Sequence, residues 1–189
     1  MINNIKVIGM VLIMLVVLGG CRVNKADNDV FRATSLGDFS ALDFDGNTIT
    51  KDVFKDYDLT MVNLWVTNCG YCIDEMPVLN TIRDEVLAKG VNIISICMDV
   101  GHTKDINNTN YDIGKDIVKK TKVKYLNLIP DSLLLNGYLH GLSAFPQTFF
   151  VDKEGYVISE AYIGSMTKEG FMAIIEKQLG AIKNLNKNG

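Results

Sequence analysis

Two cysteines separated by two residues, Cys69-Gly70-Tyr71-Cys72, are the part of this 189-residue sequence best suited to chemistry. Thiolates attack disulfides and also bind soft metals, so the spacing fits either a redox couple or half of a metal site. Residues 59–66, just upstream, are short and mostly apolar and read as a strand buried on both faces. From Cys72 onward apolar residues recur at 72, 73, 76, 79, 82, 86 and 87, one face of a helix. Asp74, Glu75, Asp84 and Glu85 fall largely on the other side, and Gly90 closes the pattern. The cysteines therefore sit where a strand passes into a helix. Backbone N–H groups of the first turn, and the positive end of the helix dipole, point at Cys69 and favour its thiolate. A free thiol ionises at about 8.5, and this setting commonly lowers that value. Cys72, one turn on, is placed to attack a mixed disulfide made by Cys69. By exposure and dipole, Cys69 is the nucleophile and Cys72 the resolving thiol.

The amino terminus says where such a pair would work. Residues 1–20 carry one charged side chain, Lys6, then an apolar run over residues 7–18. That run is shorter than the ~20 residues that span a bilayer, and suits the apolar core of a secretory signal peptide. It ends in Leu18-Gly19-Gly20-Cys21, which resembles the bacterial lipobox. In a lipobox the cysteine sulfur carries a diacylglyceryl group and becomes the first mature residue, so Cys21 is the expected lipidation site. Residues 1–20 are read as signal, 21–34 as a lipid-anchored tether, 35–183 as one globular domain and 184–189 as a tail. Disulfides persist in the compartment this implies. Cys97, mid-strand among Ile94, Ile96 and Met98, reads as a small buried residue rather than a third redox thiol.

Hydrophobic residues make up 48% of the chain, enough for a real core, and a net charge of −3 with no basic patch argues against nucleic acid. Residues 37–50 read as a β-hairpin around Asp45-Gly46-Asn47. Residues 93–98 and 148–151 read as buried strands, with Asp152-Lys153-Glu154-Gly155 turning the second into another strand. Residues 111–121, and a stretch from about Thr167 bearing Phe171, Ile174, Ile175, Leu179 and Ile182, read as helices. This order predicts an α/β fold with a central mixed sheet flanked by helices and an added N-terminal β-hairpin.

Two segments carry a family resemblance. Residues 63–77, Asn63-Leu64-Trp65-Val66-Thr67-Asn68-Cys69-Gly70-Tyr71-Cys72-Ile73-Asp74-Glu75-Met76-Pro77, resemble the active-site segment of the TlpA/ResA-like extracytoplasmic thioredoxins. Ala144-Phe145-Pro146-Gln147-Thr148-Phe149-Phe150-Val151-Asp152-Lys153-Glu154-Gly155 is similar to a second motif of the same family, and order and spacing agree over about residues 36–180. The resemblance implies a thioredoxin-like fold and a redox-active Cys69–Cys72 disulfide. It also implies a cis peptide before Pro146, with Phe145 and Pro146 forming one wall of a substrate groove. Tyr71 and Trp65 flank the pair and are candidates for the same groove; the alternatives are an exposed loop for Tyr71 and packing beneath the site for Trp65. The chain departs from the pattern at Asn68, where the family usually has tryptophan, and at Tyr71, where it usually has proline. Glu75, the nearest acid, is a candidate for proton transfer with Cys72 or else a solvated helix residue.

The implied activity is disulfide exchange with protein substrates at the outer face of the bacterial cytoplasmic membrane, more as reductant than as oxidant. Electrons would come from a CcdA-type membrane thiol donor, and a monomer is expected. No cofactor and no metal is expected. The alternative is a Sco-like copper-binding lipoprotein, but those relatives space their cysteines as C-x-x-x-C with a distant histidine. This chain offers only His102 and His140. A peroxidase of the peroxiredoxin kind would need a Thr-x-x-Cys setting with an arginine, which the sequence lacks.

Overall fold

The computed structural model describes residues 34–101 and 109–188. The signal, most of the tether, Cys21 and His102 lie outside them. The hairpin forms as the sequence predicts, from β2 (Ser40–Asp43) and β3 (Thr48–Thr50), with Ala41 opposite Ile49. Its turn is held by one side chain: Asp43 Oδ1 accepts the backbone N–H groups of Asp45 and Asn47 at 2.9 and 2.8 Å. Gly46 sits there at φ 86°, a left-handed conformation that glycine adopts without steric cost. A 3-10 turn over Lys51–Phe54 then leads into β4 (Leu59–Trp65), all seven residues of which are buried.

Helix α1 (Gly70–Leu87) follows, then β5 (Val91–Cys97), α2 (Thr109–Thr121), β6 (Leu126–Ile129) and the short α3 (Ser132–Asn136). Strand β7 (Gln147–Val151) turns into β8 (Tyr156–Val157), and β9 (Tyr162–Ile163) precedes α4 (Lys168–Asn188). Helix α4 takes in residues 184–188 of the stretch read from sequence as a tail. Together with β1 (Thr34–Ser35), the strands make one mixed sheet in the order β1-β8-β7-β4-β5-β6-β2-β3, with β9 also pairing β7. Strand β4 runs parallel to β5 and antiparallel to β7, and β5 runs parallel to β6.

Alternation along the strands divides the core. One face of the sheet buries Val62, Leu64, Ile94, Ile96, Phe149 and Val151 against Phe39, Phe54 and Leu134. The other buries Leu59, Met61, Ile93 and Phe150 against Leu79, Ile82 and Val86 of α1 and Phe171, Ile175 and Leu179 of α4. Each such side chain taken from water contributes about 1.5–3 kcal/mol, which fixes α1 on the sheet far more firmly than helix propensity does. A third cluster, Phe44, Trp65, Cys72, Met76, Cys97, Val100 and Ile129, lies at the end of β4 where α1 begins. Helix α2 comes close here through Gly114, where a Cβ would lie 2.9 Å from the Phe44 ring. Among the described residues no helix is long and apolar enough to cross a membrane.

Candidate active site

Cys69 is the N-cap residue of α1, with extended backbone (φ −98°, ψ 99°). Its sulfur accepts the backbone N–H of Cys72 at 3.2 Å, taking up one of the donors that a helix start leaves without a partner. The first turn of α1 holds no acidic residue, so no side-chain charge there opposes the dipole at Cys69. The two cysteines are joined as a disulfide with their Cα atoms 5.2 Å apart. Cys69 is half-buried and Cys72 is 1% exposed, so solvent meets the first sulfur and not the second.

The residues expected around the pair divide between surface and interior. Tyr71 stands 74% exposed between the cysteines. The peptide between Phe145 and Pro146 is cis, as the resemblance implies. Half-buried Phe145 packs against the cluster that contains Cys72 and that Cys69 also borders, and Pro146 is buried with its carbonyl accepting the Gly164 N–H at 2.8 Å. Trp65 does not line a groove. It is wholly buried beneath the pair, its ring 6.3 Å from that of Phe44, because odd-numbered β4 residues point into the core under α1. Cys97, opposite Trp65 on β5, is a free buried thiol. Burial pushes its ionisation far up, and the negative charge of Asp99 pushes the same way.

Glu75 departs from the sequence reading. Its position next to Asp74 placed it on the solvated side of α1, yet it is 3% exposed and shares a stripe with Cys72, Met76, Leu79, Ile82 and Val86. Residues three and four apart share a helix face, and 75 lies three beyond 72 and four before 79. Its Oε1 accepts from Asn63 Nδ2 at 2.7 Å, and its Oε2 is buried without a hydrogen bond. Burial raises the carboxyl to about 7, against the smaller lowering pulls of the Asn63 amide and the Met166 backbone N–H. An acid poised near neutrality one turn from a buried thiol is suited to moving a proton.

A second carboxylate braces the approach to Cys69. Asp99, just past β5, accepts from Asn110 of α2 and from Thr67 in the loop after β4. Asp99 was not singled out from sequence as part of the site, and Asn63, though it opens the family-like segment, was given no role there. The available signal for Asn63 was a polar residue on the α1-facing side of an otherwise apolar strand. His140, in the turns after α3, is exposed. Among the described residues no group of three or more His, Cys, Asp or Glu side chains is arranged to hold a metal ion.

Comparison with known proteins places this arrangement. The AhpC/TSA family model matches residues 33–159. The thiol-disulfide oxidoreductase ResA of Bacillus thuringiensis subsp. konkukian (strain 97-27) is 30% identical over 142 residues, covering 74% of this chain and 73% of the relative. The chain belongs to the AhpC/TSA family, as a ResA-like thiol–disulfide oxidoreductase. Solved structures agree on the thioredoxin fold of this oxidoreductase. The thioredoxin family thiol:disulfide interchange protein of Chlorobium tepidum TLS superposes with a TM-score of 0.62 at 23% identity, covering 77% of this chain and 96% of its own. The pneumococcal exposed lipoprotein thioredoxin of Streptococcus pneumoniae strain TIGR4 gives 0.58 at 22% identity, covering 74% and 98%.

Proposed function

We propose that this oxidoreductase is a lipoprotein held by Cys21 at the outer face of the bacterial cytoplasmic membrane, where it reduces disulfides in protein substrates. In this reading Cys69 attacks the substrate disulfide and Cys72 resolves the mixed disulfide. Glu75 accepts the Cys72 proton, and Phe145, Pro146 and Tyr71 border the substrate. A CcdA-type membrane thiol protein returns the dithiol form, and the protein acts as a monomer. The observation that carries the reading is the asymmetry of the pair: Cys69 caps a helix at the surface while Cys72 is sealed beside a buried acid. Lipobox-like Leu18-Gly19-Gly20-Cys21 supports the location.

Trapping tests the roles. Cys72→Ser is expected to accumulate mixed disulfides with protein partners through Cys69, and Cys69→Ser to accumulate few. Equal trapping by both variants would reverse or remove the assignment. Titration of the Cys69–Cys72 couple against glutathione tests direction, a reductant standing well below the glutathione couple.

A further inference from the structure

One residue in each of three neighbouring strands interrupts the apolar surface beneath α1. On that face β4 presents Leu59, Met61, Asn63 and Trp65, β5 presents Val91, Ile93, Ser95 and Cys97, and β7 presents Thr148 and Phe150. The polar members form a single row, because Asn63 pairs in register with Ser95 on one side and Thr148 on the other. Asn63 and Thr148 are 1% exposed and Ser95 is fully buried. A buried polar group without partners costs about 1–3 kcal/mol, so such a row persists only where its hydrogen bonds are organised.

Those bonds converge on one carboxylate. Ser95 Oγ donates to Asn63 Oδ1 at 3.3 Å, which occupies the accepting end of the amide. The donating end, Nδ2, then faces Thr148 Oγ1 at 3.4 Å and Glu75 Oε1 at 2.7 Å. Of the two Glu75 oxygens one is held by the row, and the other is buried and unbonded. Tyr125, itself kept neutral by burial and near Ser95, and Cys72 on the same helix face are the titratable groups closest to this arrangement. The Met166 backbone N–H approaches from the segment before α4. No lysine, arginine, histidine or aspartate of the described residues is among the groups that set the carboxyl.

We propose that Asn63 is a positioning residue for thiol–disulfide exchange: the row Thr148–Asn63–Ser95 fixes its amide so that Glu75 Oε1 is held and Oε2 is left to take the proton of Cys72. This rests on the reading of Glu75 as proton acceptor. The Cys69 thiolate attacks a substrate disulfide, bonds to one sulfur and releases the other as a thiolate. The Cys72 S–H bond then breaks, its proton passing to Glu75 Oε2, and the new thiolate attacks Cys69 Sγ. The second substrate sulfur departs with the electron pair. The dithiol loses two electrons, and the two substrate thiolates take up that proton and one from water.

Stopped-flow reaction of the reduced full chain in detergent with dithiobis(nitrobenzoate) separates the steps, since the first thionitrobenzoate released reports Cys69 and the second reports attack by Cys72. In Asn63→Ala the second release at pH 7 is expected to slow about tenfold and its pH profile to move alkaline by about one unit, the scale of one hydrogen bond to a charged group. The first release should change less than twofold. Carbon-13 titration of the Glu75 carboxyl should move the same way. Ser95→Ala, which frees the amide to turn, should shift both readouts in the same direction by less, and it serves if Asn63→Ala fails to fold. In a Glu75→Gln background Asn63→Ala should change the second release no further. An unshifted carboxyl titration in the folded variants overturns the proposal and leaves the role of Glu75 standing. A shifted titration with a second release indifferent to Glu75→Gln overturns the reading of Glu75, and the proposal with it.

Discussion

Thr67 gives both its backbone N–H and its hydroxyl to the carboxylate of Asp99, at 3.0 and 2.6 Å, tying the loop that leads to Cys69 to the end of β5. The two residues are far apart in sequence and adjacent only because β4 and β5 run parallel and end together, Trp65 beside Cys97. Asp99→Ala leaves a buried N–H and hydroxyl without an acceptor. Unfolding in urea is expected to show a loss of about 2–3 kcal/mol, the scale of hydrogen bonds to a charged group. Reaction of Cys69 with small disulfides should slow in parallel, because the N-cap loses its brace. A variant with unchanged stability would mean that the loop is held by packing alone.

Glu75 should make stability fall as pH rises. The carboxyl ionises at about 7 in the folded protein, above its ordinary value of 4.5. Between those values the unfolded chain releases a proton that the folded chain keeps, so folding is progressively disfavoured. Below about pH 4.5 there is no penalty, and above about pH 7 it is complete, on the order of 3 kcal/mol. Glu75→Gln keeps an oxygen for Asn63 and removes the charge. Urea midpoints of the oxidised protein should therefore be similar for the two at pH 4.5, with the variant clearly more stable at pH 8. Parallel curves would show that the carboxyl ionises freely in place.

Cys97 should be silent in the folded protein. Its burial and the nearby Asp99 carboxylate both oppose the thiolate, which is the reactive form. Iodoacetamide applied to the reduced protein at pH 8, read by peptide mass, should label Cys69 and reach Cys97 only after denaturation. Native labelling of Cys97 would point to opening of the cluster around Trp65.

Lipid attachment is tested separately from the chemistry. A labelled lipid precursor should enter the full chain and not Cys21→Ala, which should also leave the membrane fraction or remain unprocessed. Disulfide exchange by the variant in solution should be unaffected, since Cys21 precedes the domain. Equal labelling of both proteins would exclude Cys21 as the anchor.

What the sequence made legible is what depends on local pattern. The apolar run of β4, the period of α1, the turn at Gly46 and the position of the cysteines between strand and helix all follow from neighbours along the chain. The short elements β6 and α3, of four and five residues, hold too few positions to display a period, and no range was assigned to either from sequence. Glu75 was misplaced for a related reason: at the border of a helix face, charge suggests solvent, and only the partner across the interface decides. That partner is Asn63, twelve residues upstream on a different element. Thr67 with Asp99, and Asn63 with Ser95 and Thr148, are likewise products of sheet register, which no local stretch of the sequence displays.

The capping of α1 by its own reactive sulfur has a consequence for what kind of catalyst this is. The amide of Cys72 that bonds Cys69 Sγ stabilises negative charge on that atom whenever charge resides there. A stabilised thiolate is more abundant at neutral pH but intrinsically a weaker attacker, and it is also the better leaving group. What Cys69 loses in striking a disulfide it regains in departing from one. Such a sulfur is suited to handing on bonds rather than keeping them, and the protein becomes a relay whose traffic is set by the molecules on either side of it.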